Sequence, residues 1–163
     1  MIRLTDLLKE NQYAPLYHAT TYVRFISIIN DEVIKPNKLG YIFLTRDKNY
    51  KVGGQSTPIV FKINQEKIRQ RYKIFPRVGD IANQNKRIEA EEVVKGQIPL
   101  SWVKEVQVPK SIIINMKETI EGWEKGLEWA KVKNPKAIKN YEEMIKEYTK
   151  ILNYPKLSIT PNS

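Results

Sequence analysis

Two periods divide the chain. Up to about Pro109 the apolar residues fall in short runs broken by Gly, Pro and Asn, whereas from Met116 they recur at the spacing of a helix that buries one face. Thr5 to Glu10 reads as a short amphipathic helix stopped at Asn11. Pro15 opens an extended segment through Tyr17 and His18, and Thr20 or Thr21 can cap a helix with apolar positions Val23, Ile26, Ile28 and Ile29. Asp31-Glu32 ends that helix, Val33 to Pro36 is extended, and Asn37 to Gly40 has turn chemistry. Tyr41 to Thr45 is a β-branched and aromatic run, the pattern of a buried strand. Arg46 to Tyr50 is a polar turn or single helical turn, and Lys51 to Pro58, with Gly53-Gly54, is a loop.

Ile59 to Ile63 predicts another strand, and Asn64 can cap a short basic helix over Gln65 to Gln70. Tyr72 to Pro76 alternates as an exposed strand does. Turn residues at Gly79-Asp80 and Asn83 to Lys86 lead into Arg87 to Val94. Gly96 turns the chain, Pro99 to Val103 is one helical turn, and Glu105 to Val108 is a closing strand. Beyond it, Met116, Ile120, Trp123, Leu127 and Ala130 share one helical face; Ala137, Tyr141, Met144, Tyr148 and Ile151 share another after Asn134-Pro135. This predicts a helical hairpin, with Gly122 and Gly126 on one face admitting close approach, and a loose tail from Leu157 to Ser163. The expected fold class is α+β. Its expected divisions are a strand-rich core at 1–110, the hairpin at 111–156 and the tail at 157–163.

Composition narrows the chemistry. At 163 residues and 41% hydrophobic the chain can build a sizeable core, and no apolar run approaches membrane-spanning length. With no signal-peptide pattern at Met1 to Asp6, a cytosolic location is expected. Zero cysteines excludes disulfides, thiolate metal sites and thiol nucleophiles, and a single histidine, His18, leaves no zinc site or Ser-His-Asp triad. No metal is implied. The net charge of +10 favours a polyanionic partner such as nucleic acid. It is uneven: Lys62 to Arg87 holds eight basic residues, among them Arg69, Arg71, Lys73 and Arg87, against Glu66 and Asp80.

An acidic stretch follows directly. In a strand, residues two apart share a face, so Glu89 and Glu91 would point one way and Glu92 the other. A plain solvated face would also carry acids, but like charges packed on one strand face are destabilising without a purpose. A shift of register by one would exchange Glu92 for Glu91.

Three motifs thus fall in order: Tyr-His-Ala-Thr at 17–20, Gly-Tyr-Ile-Phe-Leu-Thr at 40–45, and Glu-Ala-Glu-Glu-Val-Val-Lys-Gly-Gln-Ile-Pro at 89–99. Their order and residues resemble the ADP-ribosyltransferase superfamily, in its branch with histidine first, an aromatic second and glutamate third. The resemblance covers about residues 15–108. It extends to uncharacterised phage-encoded members and to the DNA-modifying DarT group, and a phage origin would place the protein in the cytoplasm of a bacterial host.

The resemblance implies a core of two small packed β-sheets with NAD, as co-substrate, in the cleft between them. It implies mono-ADP-ribosyl transfer to a nucleic acid or a protein. Glu91 would be the catalytic glutamate, holding the ribose 2′-hydroxyl and steadying an oxocarbenium-like transition state; Glu89 would contact or activate the acceptor. His18 would hydrogen-bond ribose hydroxyls, with Ala19 and Thr20 presenting backbone groups to the nicotinamide. Tyr41, Phe43 or Tyr50 would stack on its ring, and Thr45 closes that motif. The resemblance does not cover the hairpin; a protein-modifying, toxin-like transferase whose hairpin docks the target or an antitoxin-like partner is a further possibility, and no membrane is expected. Two rivals stand beside this reading. One is an RNA 2′-phosphotransferase, which shares the fold but uses no catalytic glutamate. The other is a non-catalytic basic module that grips nucleic-acid phosphates and stacks bases on Tyr72 or Phe75.

Overall fold

The computed structural model describes residues 14–46, 59–78 and 87–161, with side chains omitted at 76–78 and 87–91. The expected helix at 5–10, most of the turn at 46–50, the loop at 51–58 and the turns at 79–86 lie outside the described residues. Along the chain come β1 (Leu16–Thr20), α1 (Tyr22–Asp31), β2 (Val33–Ile34), β3 (Tyr41–Thr45), β4 (Ile59–Ile63), α2 (Gln65–Arg71), β5 (Ile74–Val78), β6 (Arg87–Lys95), β7 (Ile98–Pro99) and β8 (Val103–Pro109). Then follow α3 (Lys110–Lys133), α4 (Ile138–Leu152) and β9 (Leu157–Thr160). The fold is α+β.

Seven strands form one mixed sheet in the order β5-β6-β3-β1-β4-β8-β9, and β2 pairs with β7 in a separate ribbon. This corrects the expectation of two small packed sheets. The seven-stranded sheet is nevertheless narrow at one joint: β1 and β4 are registered along all five residues of β1, whereas β1 and β3 are registered only at Tyr17 and Thr45. Past that pair the two strands diverge, and the divergence makes room for a cleft.

The strands form where β-branched and aromatic residues cluster between turn formers. One sheet face carries Leu16, Leu44, Ile42, Phe61, Ile63, Val94 and Val106, all buried, and packs against Phe25, Ile28 and Ile29 of α1 and Ile68 of α2. Removing one of these large side chains, as in Phe61→Ala, costs about 3–5 kcal/mol. α1 begins where predicted: Thr21 is its N-cap, and its hydroxyl accepts a hydrogen bond from the Arg24 N–H at 3.4 Å. Its core face differs, because Phe25 is buried and Val23 is 75% exposed. Asn64 caps α2 through the Lys67 N–H.

The hairpin and tail also differ from expectation. Ile113, Met116 and Ile151 belong to the main core, so the root of the hairpin is part of the domain. Gly126 lies against Tyr141, whose ring a Cβ would meet at 2.7 Å, but Gly122 faces open space. Trp123 packs edge-on against Tyr148 with ring centroids 4.6 Å apart. Residues 157–160 are not loose: β9 pairs in parallel with β8, so β8 does not close the sheet. No helix among the described residues is long and apolar enough to cross a membrane.

Candidate active site

The single histidine sits at the divergence of β1 and β3. His18 Nδ1 lies 2.9 Å from the Phe43 carbonyl oxygen on β3. A carbonyl oxygen only accepts, so Nδ1 carries the proton and, in the neutral ring, Nε2 is left as an acceptor. Burial pushes the His18 pKa below its ordinary value; the bond to Phe43 opposes this and the charge of Arg24 adds to it. The ring is therefore neutral at pH 7, with its acceptor lone pair available to a hydroxyl donor.

His18 lines a cleft of about 640 Å³ between α1, the β2–β3 connection and the start of β3. Its apolar lining is Ile28, Ile34 and Ile42, with Tyr41 and Phe43 from β3. Three cations stand on it: Arg24 from α1, and Lys35 and Lys38 from the connection. Lys35 shares its charge with Asp31 at 2.7 Å, which holds the Asp31 carboxyl below the usual carboxylate range. Arg24 and Lys38 have no ion-pair partner among the described residues. The turn that carries Lys38 is ordered by Asn37, whose side-chain oxygen accepts from the Leu39 and Tyr41 N–H groups.

The three sequence motifs come together on adjacent strands, since β1, β3 and β6 are neighbours in the sheet. Position 91 is registered opposite Thr45, which is registered opposite Tyr17, so by alternation it is position 92, not 91, that falls on the sheet face of position 18. The side chains of Glu89, Glu91 and Arg87 lie outside the described residues, as does Tyr50. Glu92, opposite Leu44, is 5% exposed, and its carboxylate accepts from Arg46 Nε at 3.0 Å. That ion pair gives Glu92 a structural task. Thr45 is buried.

Ala19 and Thr20 are not part of the cleft lining; their backbones pair with β4. The Thr20 hydroxyl is buried without a hydrogen-bond partner among the described residues. Arg69, Arg71 and Lys73 are exposed on α2 and the approach to β5, away from the cleft lining, with Arg69 Nε donating to Gln65 Oε1 at 2.6 Å. Sequence reasoning missed Arg24, Lys35 and Lys38. Their signal was weak, since an arginine in the first turn of a capped helix and two lysines around a Pro-Asn turn read as solvated surface.

No family model matches the sequence, and none of the curated proteins searched matches it.

Proposed function

We propose that the protein is a mono-ADP-ribosyltransferase that cleaves NAD at the nicotinamide–ribose bond and transfers ADP-ribose to a macromolecule. The observation that carries the reading is the adjacency of β1, β3 and β6, whose histidine, aromatic and glutamate motifs are up to 70 or so residues apart in the chain. A cleft of about 640 Å³ is within the roughly 300–1,000 Å³ of small-molecule sites. Its chemistry suits a dinucleotide: an apolar lining for a base, a neutral imidazole for ribose hydroxyls, and Arg24, Lys35 and Lys38 for a pyrophosphate.

The acceptor nucleophile bonds to C1′ of the nicotinamide ribose, the C1′–nitrogen bond breaks, and its electron pair leaves with neutral nicotinamide. The acceptor gives up one proton. Glu91 is the carboxylate assigned to the positive charge that develops on the ribose, and it accelerates the step because that charge exists only near the transition state.

The test is nicotinamide release from NAD by wild type and Glu91→Ala, with and without added RNA, DNA or cell lysate. Loss of the carboxylate is expected to cost on the order of 100-fold or more. Absence of NAD consumption by the wild type under every addition, alongside salt-dependent polyanion binding, would favour the non-catalytic module instead, a reading that the exposed basic residues of α2 support.

A further inference from the structure

We infer that the acceptor is a single-stranded nucleic acid, bound across the sheet face where β5, β6 and β3 bring Lys73, Phe75, Lys95 and Tyr41 together. The registers make this surface. Phe75 pairs with Val93 and Val93 with Phe43, so these three positions form a row on one face; Lys95 pairs with Tyr41 in the next row of that face. Lys73, two residues before Phe75 in extended chain, falls on the same side. Phe75 is 49% exposed and Tyr41 36%, and Lys73 and Lys95 are exposed with no ion-pair partner among the described residues. From β3 to β5 is two strand spacings, roughly 10 Å.

Edge protection does not account for this surface. A lysine at an edge strand discourages pairing with another sheet, which would explain Lys73 on β5. It leaves Phe75 unexplained, because an exposed phenyl ring on an edge strand invites association. It also leaves Lys95, which is on an interior strand. Two lysines close on one sheet face repel each other unless an anion lies between them. Aromatic rings interleaved with cations are what single-stranded nucleic acid binders use: the bases stack and the phosphates meet the charges. Protein interfaces are depleted of lysine.

The surface also has the right place. Tyr41 and Phe43 are also among the residues around the cleft, so this surface ends on β3, the strand that borders the cleft. It crosses β6, the strand of the glutamate motif. Only the role of the strand as acceptor rests on the transferase reading; its binding does not.

The experiment measures anisotropy of short labelled single-stranded DNA and RNA, and of the corresponding duplex, over a salt series without NAD. The proteins are wild type, Phe75→Ala, Phe75→Trp and Lys95→Gln, each checked for folding by thermal unfolding. Single strands should bind more tightly than duplex. Phe75→Ala should weaken binding roughly tenfold, while Phe75→Trp retains it. Lys95→Gln should lower the slope of log affinity against log salt by about 0.7. The DNA and RNA arms tell which sugar is preferred. Folded Phe75→Ala and Lys95→Gln proteins that bind like wild type, or a duplex that binds as well as single strands, would overturn the inference. Nicotinamide release stimulated only by a protein fraction would overturn it too and leave the transferase standing. Single-strand binding with the predicted variant effects but no transfer from NAD would keep the binding surface and remove its role as acceptor site.

Discussion

Glu91 and Glu92 are neighbours in one strand; the structure gives Glu92 an ion pair with Arg46, and the transferase reading gives Glu91 the catalytic task. Glu92 is 5% exposed and accepts from Arg46 Nε at 3.0 Å, while the Arg46 side chain is 42% exposed. Breaking a fully buried ion pair costs about 3–5 kcal/mol because it strands a charge. Two features lower that figure here. The arginine remains half in water when its partner is lost, and Glu92→Gln removes the buried charge while keeping an oxygen that can still accept. What goes at Arg46 is the charge assistance of the bond to its Nε, so the expected cost of losing it is about 1–2 kcal/mol. Glu92→Gln should therefore lower the urea midpoint visibly, yet release nicotinamide within a few-fold of wild type once the measurement is made where both proteins are folded.

Glu91→Gln should do the reverse, leaving the urea midpoint near wild type and cutting the release rate on the order of 100-fold. Paired urea titrations by circular dichroism and nicotinamide assays on the two variants decide the matter. Should Glu92→Gln abolish release at unchanged stability while Glu91→Gln leaves it intact, the assignment of the two carboxylates would be reversed. The pair with Arg46 would then belong to the catalytic apparatus.

Other expectations follow from the site and its supports. His18 is neutral in the fold with its pKa below the ordinary value, so nicotinamide release should hold steady down to about pH 6.5 and fall only at lower pH, when Nε2 loses its lone pair. The unfolded chain takes up that proton first, so stability should decline as pH drops from about 6.5 toward the folded pKa, by at most about 1.4 kcal/mol per pH unit. The His18→Asn protein should lack that part of the decline, and an equal decline in the variant would refute the assignment. Arg24→Glu reverses a charge on the cleft and should raise the KM for NAD by about tenfold, with a smaller change in kcat; an unchanged KM would take the pyrophosphate elsewhere. At Gly96, with φ +141°, a Cβ would meet the Tyr72 ring at 2.6 Å. Gly96→Ala should therefore destabilise by more than about 1 kcal/mol in urea unfolding, and a neutral result would mean that the turn relaxes freely.

Strands β3 and β4 were legible in the sequence because each is a run of β-branched and aromatic residues bounded by turn or cap residues, so local chemistry and burial agree. Where they disagree, reading failed. Val23 and Phe25 are two apart in a capped helix, and either phase of the period looks acceptable; the sheet beneath selects Phe25. Leu157 to Thr160 is too short to announce a strand, and its order comes from β8, about 50 residues earlier in the chain. The cleft could not be read at all. It exists because β1 and β3 part after one registered pair, which is a property of the sheet, and the cations Arg24, Lys35 and Lys38 gain meaning only from the opening they line.

The hairpin makes the same point about what periodicity leaves out. Its helical spacing marks it as an appended lobe, and at its tip, with Trp129 and Val132 exposed, it is one. At its root it does something else. The Tyr22 hydroxyl of α1 donates to the Tyr148 hydroxyl of α4 at 3.1 Å, Asn30 donates to Glu147, and burial pushes the Tyr22 pKa up. α1 thus carries Arg24, Ser27 and Ile28 on the cleft while Tyr22 and Asn30 hold it to α4. A helix of only ten residues has little stability of its own. The hairpin therefore braces the wall of the cleft, whatever its tip meets, and a division of the chain into a catalytic core and a separate helical lobe cuts through the support of the site itself.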